Sequence, residues 1–279
     1  MKLKANAKIN LTLDVLGKRE DGYHLIDSVF QSVSLCDIVE VDVSDSIVVG
    51  CSDNTICDES NIAYKAAENF FAYTNKNGGA QIAIEKHIPL ASGMGGGSAD
   101  AAAVIVALNK LYETNLSEEQ LCEIGLSVGA DVPFCIIGGT ARVGGIGEKM
   151  EKLPDMPQCA IMLIKHGKKL STAYMYRQVD AYPQDKYYTR SMVNSIVSGD
   201  VSVICQNVFN AFNSVCDNET LIKDIKETAP LAVSLSGSGP TVFAIYADMM
   251  QANGAKESLK EKGYTPYLVA PSKNGIETE

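Results

Sequence analysis

The sequence predicts an α+β protein built as two lobes, and three observations carry that expectation. Residues 8–15 alternate apolar and polar side chains with the period of a strand. Residues 98–112 are rich in alanine and contain neither glycine nor proline, as a stable helix requires. Midway along the 279 residues, a glycine-rich run at 138–147 followed by Pro154 and Pro157 separates this first set of elements from a second. The expected division is therefore a first lobe at 1–154 and a second at 155–279.

In the first strand Ile9, Leu11, Leu13 and Val15 form the buried face, and Lys8, Asn10, Thr12 and Asp14 the polar one. β-rich stretches follow at residues 28–33 and 38–43. Helical spacing runs from Asn61, a suitable cap, to Phe71, and alternation returns over 81–88 at Ile82, Ile84 and Ile88. The alanine-rich helix is expected to begin where the preceding glycines end. A further helix is expected over 117–128, since Ser117 and Gln120 have capping-box spacing and Gly129 supplies a stop. In the second lobe residues 159–164, 231–235 and 241–246 read as strands, with helical stretches between and after them. The sequence has no internal repeat or low-complexity segment, which excludes solenoids and coiled coils.

With 46% hydrophobic and 21% charged residues, the chain can bury a sizeable core. Its net charge of −10 would repel a phosphate backbone unless basic residues formed a patch, and none is visible in the sequence. Lys168-Lys169, the densest basic pair outside the N-terminus, reads as a solvated surface feature. Nucleic acid is not an expected partner. Eight cysteines occur without a C-x-x-C pair and with only three histidines, which argues against a zinc site or redox pair and suggests a reducing compartment. Cys122 and Cys135, in apolar surroundings, read as small buried hydrophobes. No apolar run of the signal-peptide kind follows Lys2, Lys4 and Lys8. The longest apolar stretch, residues 101–108, falls far short of the ~20 residues that span a bilayer. A cytoplasmic protein without membrane contact is expected.

The strongest local signal is Pro89-Leu-Ala-Ser-Gly-Met-Gly-Gly-Gly-Ser-Ala-Asp100, between an expected strand and an expected helix. Glycines let backbone N–H groups approach a ligand closely, and the helix start behind them offers unpaired donors and partial positive charge. A phosphate cradle has this construction; a glycine connection with no ligand is the alternative. Spacing excludes two familiar nucleotide motifs. G-x-x-x-x-G-K-[ST] is absent, and after Gly93 and Gly95 the dinucleotide fingerprint needs Gly or Ala where Ser98 stands. An acidic residue ending a strand ~20 positions later is also missing.

Three separated segments, Ala7-Lys8-Ile9-Asn10-Leu11, residues 89–103, and Ser234-Leu-Ser-Gly-Ser-Gly-Pro-Thr241, resemble in order the three motifs of the GHMP kinases. Within that family the resemblance narrows through Arg19-Glu-Asp-Gly-Tyr-His24 with Val29-Phe-Gln31, and Gly129-Ala-Asp-Val-Pro-Phe134 with Gly138-Gly-Thr-Ala141. Gly145-Ile-Gly-Glu148 and Ser171-Thr-Ala-Tyr-Met-Tyr176 extend it. These segments are similar to the branch whose acceptor is a cytidine diphosphate alcohol on a route to isoprenoid precursors.

The resemblance implies an N-terminal α+β lobe, a C-terminal lobe of ferredoxin-like character, and a cleft between them for ATP and the acceptor. It implies ATP as phosphoryl donor, Mg²⁺ bound mainly through the ATP phosphates with no protein metal ligand assigned, and a monomer or homodimer. It also implies roles. Asp131 corresponds to the catalytic aspartate and Lys8 to its partner lysine, while Pro89, Gly93, Met94, Gly95, Gly96, Gly97 and Ser98 fall in the phosphate-binding loop. Tyr23 and His24 correspond to positions that recognise cytosine, Tyr176 to a second aromatic wall with Tyr174 as a competitor, and Asn10 and Thr172 to the acceptor pocket.

Departures from the family pattern sit mainly in the second lobe. Lys168 and Lys169 stand where smaller residues are expected, and Asn210 where an acidic residue is common. A homoserine or mevalonate kinase would share the loop but need no cytosine site, and Asp21-Gly-Tyr-His24 speaks against it. A nucleotide sensor without catalysis is opposed by intact Lys8, Asp131 and Gly95-Gly-Gly97.

Overall fold

The computed structural model describes residues 1–181 and 184–279. β1 (Lys2–Lys18) and β2 (His24–Ser44) form one long antiparallel hairpin, closed by a turn in which Gly22 takes a φ of 89°. The two β-rich stretches expected after residue 28 are thus parts of one strand. The break between them is a bulge: Asn6 pairs with Cys36 and Ala7 with Val33, so Ser34 and Leu35 are looped out. β3 (Val48–Cys51) leads to α1 (Ile62–Thr74), whose first turn is capped by the Asn61 side chain accepting from the Ala63 N–H. β4 (Gly79–Glu85) ends earlier than the alternation suggests. Beyond it the Asp37 carboxylate accepts the N–H groups of His87 (2.6 Å) and Ile88 (2.8 Å), which turns the chain out of the sheet and leaves Ile88 buried in a loop.

α2 (Gly96–Leu111) starts inside the glycine run rather than after it. Position 96 is a glycine within the helix because packing leaves little space for a side chain: a Cβ there would sit 3.0 Å from Ile88 Cγ2. α3 (Glu118–Val128) carries the full capping box of Ser117 and Gln120, and α4 (Val132–Ile137) follows. Residues 140–145 of the glycine stretch form a strand. β5 (Thr140–Gly145) pairs with both β2 and β6 (Lys149–Lys152), and the chain leaves this sheet through an irregular segment at 153–159 that holds Pro154 and Pro157.

The remaining elements are β7 (Ala160–Lys165), α5 (Thr172–Asp180), α6 (Thr189–Ser198), α7 (Val201–Gln206), β8 (Phe209–Asn210), α8 (Glu219–Lys226), β9 (Ala232–Leu235), β10 (Thr241–Tyr246), α9 (Met249–Glu261), β11 (Pro266–Val269) and β12 (Ile276–Thr278). β11-β7-β10-β9 form a second, antiparallel sheet. β12 and β8 return to the first sheet, β12 antiparallel to Leu3–Ala5 and β8 parallel beside Thr12 and Leu13, so the later part of the chain is shared between both sheets.

Ile161, Leu163, Phe243 and Ile245 of the second sheet pack on Ala7, Ile9 and Leu11 of β1, which fixes the two layers against each other. Met162, Ala244 and Tyr246 on the opposite face pack with Met175 of α5, Ile225 of α8 and Leu259 of α9. β1 therefore differs from the expected half-exposed strand: its polar face is buried as well. Thr12 Oγ1 meets Thr189 Oγ1 at 2.8 Å, and Asp14 Oδ2 accepts the N–H groups of Tyr188 (2.9 Å) and Thr189 (2.8 Å). Asp14 thereby supplies from a distant strand the cap that Tyr188 does not give α6. The eight cysteines are free; Cys135 is buried, Cys122 is half-buried, and burial pushes the Cys122 thiol up to about 11. No helix among the described residues is long and apolar enough to cross a membrane.

Candidate active site

A cavity of about 740 Å³ opens between the β1–β2 hairpin, the start of α2, α5 and the turn joining β9 to β10. Lys8, Asn10, Tyr23, His24, Gly93, Gly95, Ser98, Asp131, Thr172 and Tyr176 all line it. Pro89, Met94, Gly96 and Gly97 do not. Met94 is fully buried beneath the loop, and its carbonyl accepts the Lys8 N–H at 2.9 Å.

At the centre, the Lys8 ammonium lies 3.0 Å from Asn10 Oδ1, 3.5 Å from Asp131 Oδ2 and 4.2 Å from the centroid of the Phe30 ring. The strand period puts residues 8 and 10 on one face, and distant groups fix the amide between them. Asn10 Nδ2 donates to Ser28 Oγ at 3.1 Å, while Asn10 Oδ1 also accepts the Gly237 N–H at 2.9 Å. Asp131 occupies the N-cap position of α4 but makes no side-chain cap bond, which leaves its carboxylate to face Lys8. The Lys8 side chain is 5% exposed and that of Asp131 37%, so the cation is enclosed while the carboxylate stays accessible from the cavity. A buried ammonium without such partners would be costly.

The phosphate-loop candidate is held from both sides. Gly93 has a φ of 80°, and a Cβ there would fall 2.6 Å from Ser236 O and 2.7 Å from Gly239 O, so no other residue fits under the β9–β10 turn. The Ser236 hydroxyl donates to the Gly93 carbonyl at 3.0 Å. Gly95, with a φ of 72°, is the N-cap of α2 and offers no side chain to it. The first-turn N–H groups of α2 therefore have no helical acceptor, and the positive end of its dipole meets the cavity at Gly95 and Ser98. Behind the loop, the Lys86 ammonium bonds Asp37 and, at 2.6 Å, Asp100. Burial pushes the Asp100 carboxyl up to about 8 against the pull of Lys86, with Asp37 adding to the rise. Burial alone would lower Lys86, but Asp100 and Asp37 override it and raise it.

The far end of the cavity is aromatic. The rings of His24 and Tyr176 stack at 4.4 Å and 13°, and Tyr176 meets Phe212 edge-on at 5.0 Å. Tyr23, 61% exposed, stands at the rim. Tyr174 is exposed and outside the lining, so the structure brings Tyr176 and not Tyr174 to the cavity. His24 Nε2 bonds Asp180 Oδ1 at 2.8 Å. Sequence reasoning missed Asp180, although it lies one helical turn beyond Tyr176, a spacing that places both on one helix face.

Two departures noted in the sequence acquire reasons. Asn210 is buried; its amide nitrogen donates to the carbonyls of Leu235 (2.7 Å) and Gly237 (2.9 Å), and its oxygen accepts the Phe212 N–H at 2.9 Å. An ionised carboxylate has no proton to give those carbonyls. Lys169 corrects the expectation of a solvated lysine pair: its side chain lines the cavity and bonds Ser238 Oγ at 2.7 Å, and only Lys168 is exposed.

Residues 61–139 match the GHMP kinases N terminal domain and residues 212–265 the GHMP kinases C terminal domain. A 4-diphosphocytidyl-2-C-methyl-D-erythritol kinase of Caldicellulosiruptor bescii is 44% identical over 269 residues, 93% of this chain and 94% of that one. The chain belongs to the 4-diphosphocytidyl-2-C-methyl-D-erythritol kinase family, within the GHMP kinases. The kinase of that name from Clostridium novyi (strain NT) is 38% identical over 279 residues, covering 96% of this chain and 99% of its own. A crystal structure of 4-(cytidine 5'-diphospho)-2C-methyl-D-erythritol kinase, 28% identical, superposes with a TM-score of 0.81 and covers 98% of this kinase and 99% of the other chain. The homoserine kinase of Cytophaga hutchinsonii, at a TM-score of 0.77 and 18% identity, shares the fold. The two-lobed α+β architecture expected from the sequence is the GHMP kinase fold.

Proposed function

We propose that this kinase transfers the γ-phosphoryl group of ATP to the 2-hydroxyl of 4-diphosphocytidyl-2-C-methyl-D-erythritol, a step of the non-mevalonate route to isoprenoid precursors. One observation carries the reading. Lys8, Asn10 and Asp131 stand in a single cavity with the uncapped start of α2 on one side and the His24–Tyr176 stack on the other. ATP phosphates belong at Gly93, Gly95 and Ser98, the cytosine belongs with Tyr23, His24 and Tyr176, and the reacting hydroxyl lies between them beside Asn10 and Thr172. Pro89, Met94, Gly96 and Gly97 serve by shaping the loop.

In this reading Asp131 takes the proton of the acceptor hydroxyl as its oxygen forms a bond to the γ-phosphorus. The bond from that phosphorus to the bridging oxygen breaks, and ADP leaves. Lys8 balances the negative charge. Such a transfer asks the protein mainly for positioning and charge neutralisation. The cavity suits Mg²⁺ delivered on the nucleotide: Ser98 and Asp131 offer hard oxygen donors, but no cluster of three His, Cys, Asp or Glu among the described residues would hold the ion alone. Bound in that way, the metal neutralises phosphate charge.

The proposed organisation is a lobe at 1–154, with β8 and β12 added to its sheet, and a second lobe at 155–279, acting in the cytoplasm as a monomer or homodimer on small molecules only. The test is direct. Purified protein with ATP should form ADP in proportion to added 4-diphosphocytidyl-2-C-methyl-D-erythritol and not with homoserine or mevalonate. No turnover with the cytidine compound would remove the assignment.

A further inference from the structure

Lys169 is a cation at the cavity with no anion of its own. It precedes α5 in a stretch where the family resemblance leads one to expect smaller side chains, and the neighbouring Lys168 points away into solvent exposure. Its ammonium donates to Ser238 Oγ at 2.7 Å and to the carbonyl of Gly239. Both acceptors are neutral, and Lys169 forms no ion pair within 4.0 Å among the described residues. An ammonium has three protons to donate, so one remains.

The location gives that proton a direction. The Gly239 carbonyl that Lys169 holds is the one that presses on Gly93, 2.7 Å from where a Cβ would stand. Ser238, its other acceptor, also contacts the Thr172 hydroxyl at 3.2 Å. Lys169 thus sits between the phosphate-loop side of the cavity and its acceptor side, near enough to Lys8 and Asp131 to feel both charges. Burial, reinforced by repulsion from Lys8 and only partly offset by Asp131 and Cys216, lowers its ammonium to about 8. A half-buried cation beside another cation is an arrangement that a bound anion relieves.

We propose that Lys169 is a further phosphate-binding residue of this kinase, giving its third ammonium proton to a phosphate oxygen in the cleft. That oxygen belongs either to the nucleotide triphosphate or to the diphosphate of the acceptor; the chemistry is the same and the two are separable by kinetics. The inference rests on the proposed ATP-dependent reaction. Binding of phosphate should favour the protonated amine, so kcat/KM for the ligand concerned should fall as pH rises through about 8, where the free enzyme loses that proton. The charged and titratable groups facing Lys169 are Lys8 on β1, Asp131 before α4 and Cys216 between β8 and α8.

The experiment compares wild type, Lys169→Met and Lys169→Arg. kcat and KM are measured for each ligand with the other saturating, across the pH range around 8, together with calorimetric titration of ADP and of cytidine diphosphate. Lys169→Met should lose ~10–100-fold in kcat/KM for one ligand while the KM of the other holds, and the limb near pH 8 should vanish. Lys169→Arg should recover much of the loss and hold it to higher pH. A loss on the ATP side, with weaker ADP binding, assigns the nucleotide; a loss on the acceptor side, with weaker cytidine diphosphate binding, assigns the acceptor diphosphate. Unchanged kinetics and an unchanged pH limb in Lys169→Met overturn the proposal. So does an equal loss for both ligands accompanied by a lower melting temperature, which would make Lys169 a brace for the Ser238 turn. A wild type that binds ADP but never turns over the cytidine compound would count against the reaction itself, and the ADP titration of Lys169→Met would still read the residue.

Discussion

Asp131 Oδ2 lies 3.5 Å from Lys8 Nζ, and the two groups are brought together from separate elements, the start of α4 and the middle of β1. Asp131 stands where a cap residue would yet makes no cap bond, and Lys8, which pairs with Ser32 in the β1–β2 ladder, turns its ammonium inward to Asn10 Oδ1. A carboxylate kept free beside an enclosed cation suits proton transfer from an acceptor hydroxyl. Asp131→Asn preserves size and should cost ~10²–10⁴ in kcat, with calorimetric binding of both ligands largely kept. Turnover near the wild-type rate would take Asp131 out of the reaction.

Recognition of the base should depend on the His24–Tyr176 stack. Cytosine presents an amino donor beside a ring acceptor, whereas uracil reverses the two. A site built for the first leaves desolvated polar groups against the second, at about 1–3 kcal/mol each, so the cytidine substrate should be preferred over its uridine analogue by ~10² or more. His24→Ala removes one ring of the stack and the partner of Asp180. It should raise KM for the acceptor and shrink the preference while sparing KM for ATP. Equal use of both bases by the wild type would defeat the cytosine site.

How much of this was legible in the sequence depended on how local each cause is. The capping box at Ser117 and Gln120, the Asn61 cap and the existence of a strand over residues 8–15 are set by neighbouring residues, and they appear where expected. What failed needed partners far along the chain. The polar face of β1 reads as solvated until Thr189 and the N–H groups at the start of α6 arrive to bury it. Lys169 looks like a surface lysine until the turn at Ser238 folds over it. The glycines at 138–147 also answer to a distant partner: a Cβ at Gly138 would meet the Gly275 nitrogen at 1.8 Å, so glycine there is required by close packing against the C-terminal segment.

The loop before α2 allows a clean test at Ser98 but not at Gly96. A side chain at Gly96 would strike Ile88 and approach Asp37 Oδ2 at 3.5 Å, so a valine there would disturb folding as well as binding. Ser98→Ala removes only a hydroxyl from the first turn and raises helix propensity. It should weaken a non-hydrolysable ATP analogue by ~3–10-fold, the worth of one ordinary hydrogen bond, with the melting temperature unchanged or slightly higher. Gly95→Ala should be more severe, because φ is 72° and the new methyl would sit 3.1 Å from Lys8 Cγ. If both variants bound the analogue as wild type does, the loop would be structural.

Stability should also carry a signature of the charges beneath that loop. Lys86 is shared by Asp37 and Asp100, and Asp100 Oδ1 is buried without a hydrogen-bond partner. Burial and then Asp37 push the Asp100 carboxyl from its ordinary 3.8 up to about 8, although Lys86 pulls the other way. Between those two values the folded protein holds a proton that the unfolded chain has released. The stabilisation linked to it is full below 3.8 and is lost as pH climbs through about 8. Lys86, raised from 10.5, is charged in both states across this window and adds no slope. Asp100→Asn cannot ionise and keeps a carbonyl for Lys86. Its melting temperature should therefore fall less steeply than that of wild type between pH 3.8 and about 8, the two profiles running parallel above that range. Lys169, which also titrates near there, is common to both proteins and cancels in the comparison. Profiles parallel below about pH 8 as well would mean that Asp100 stays ionised beside Lys86, and that the orphaned oxygen has some other partner in solution.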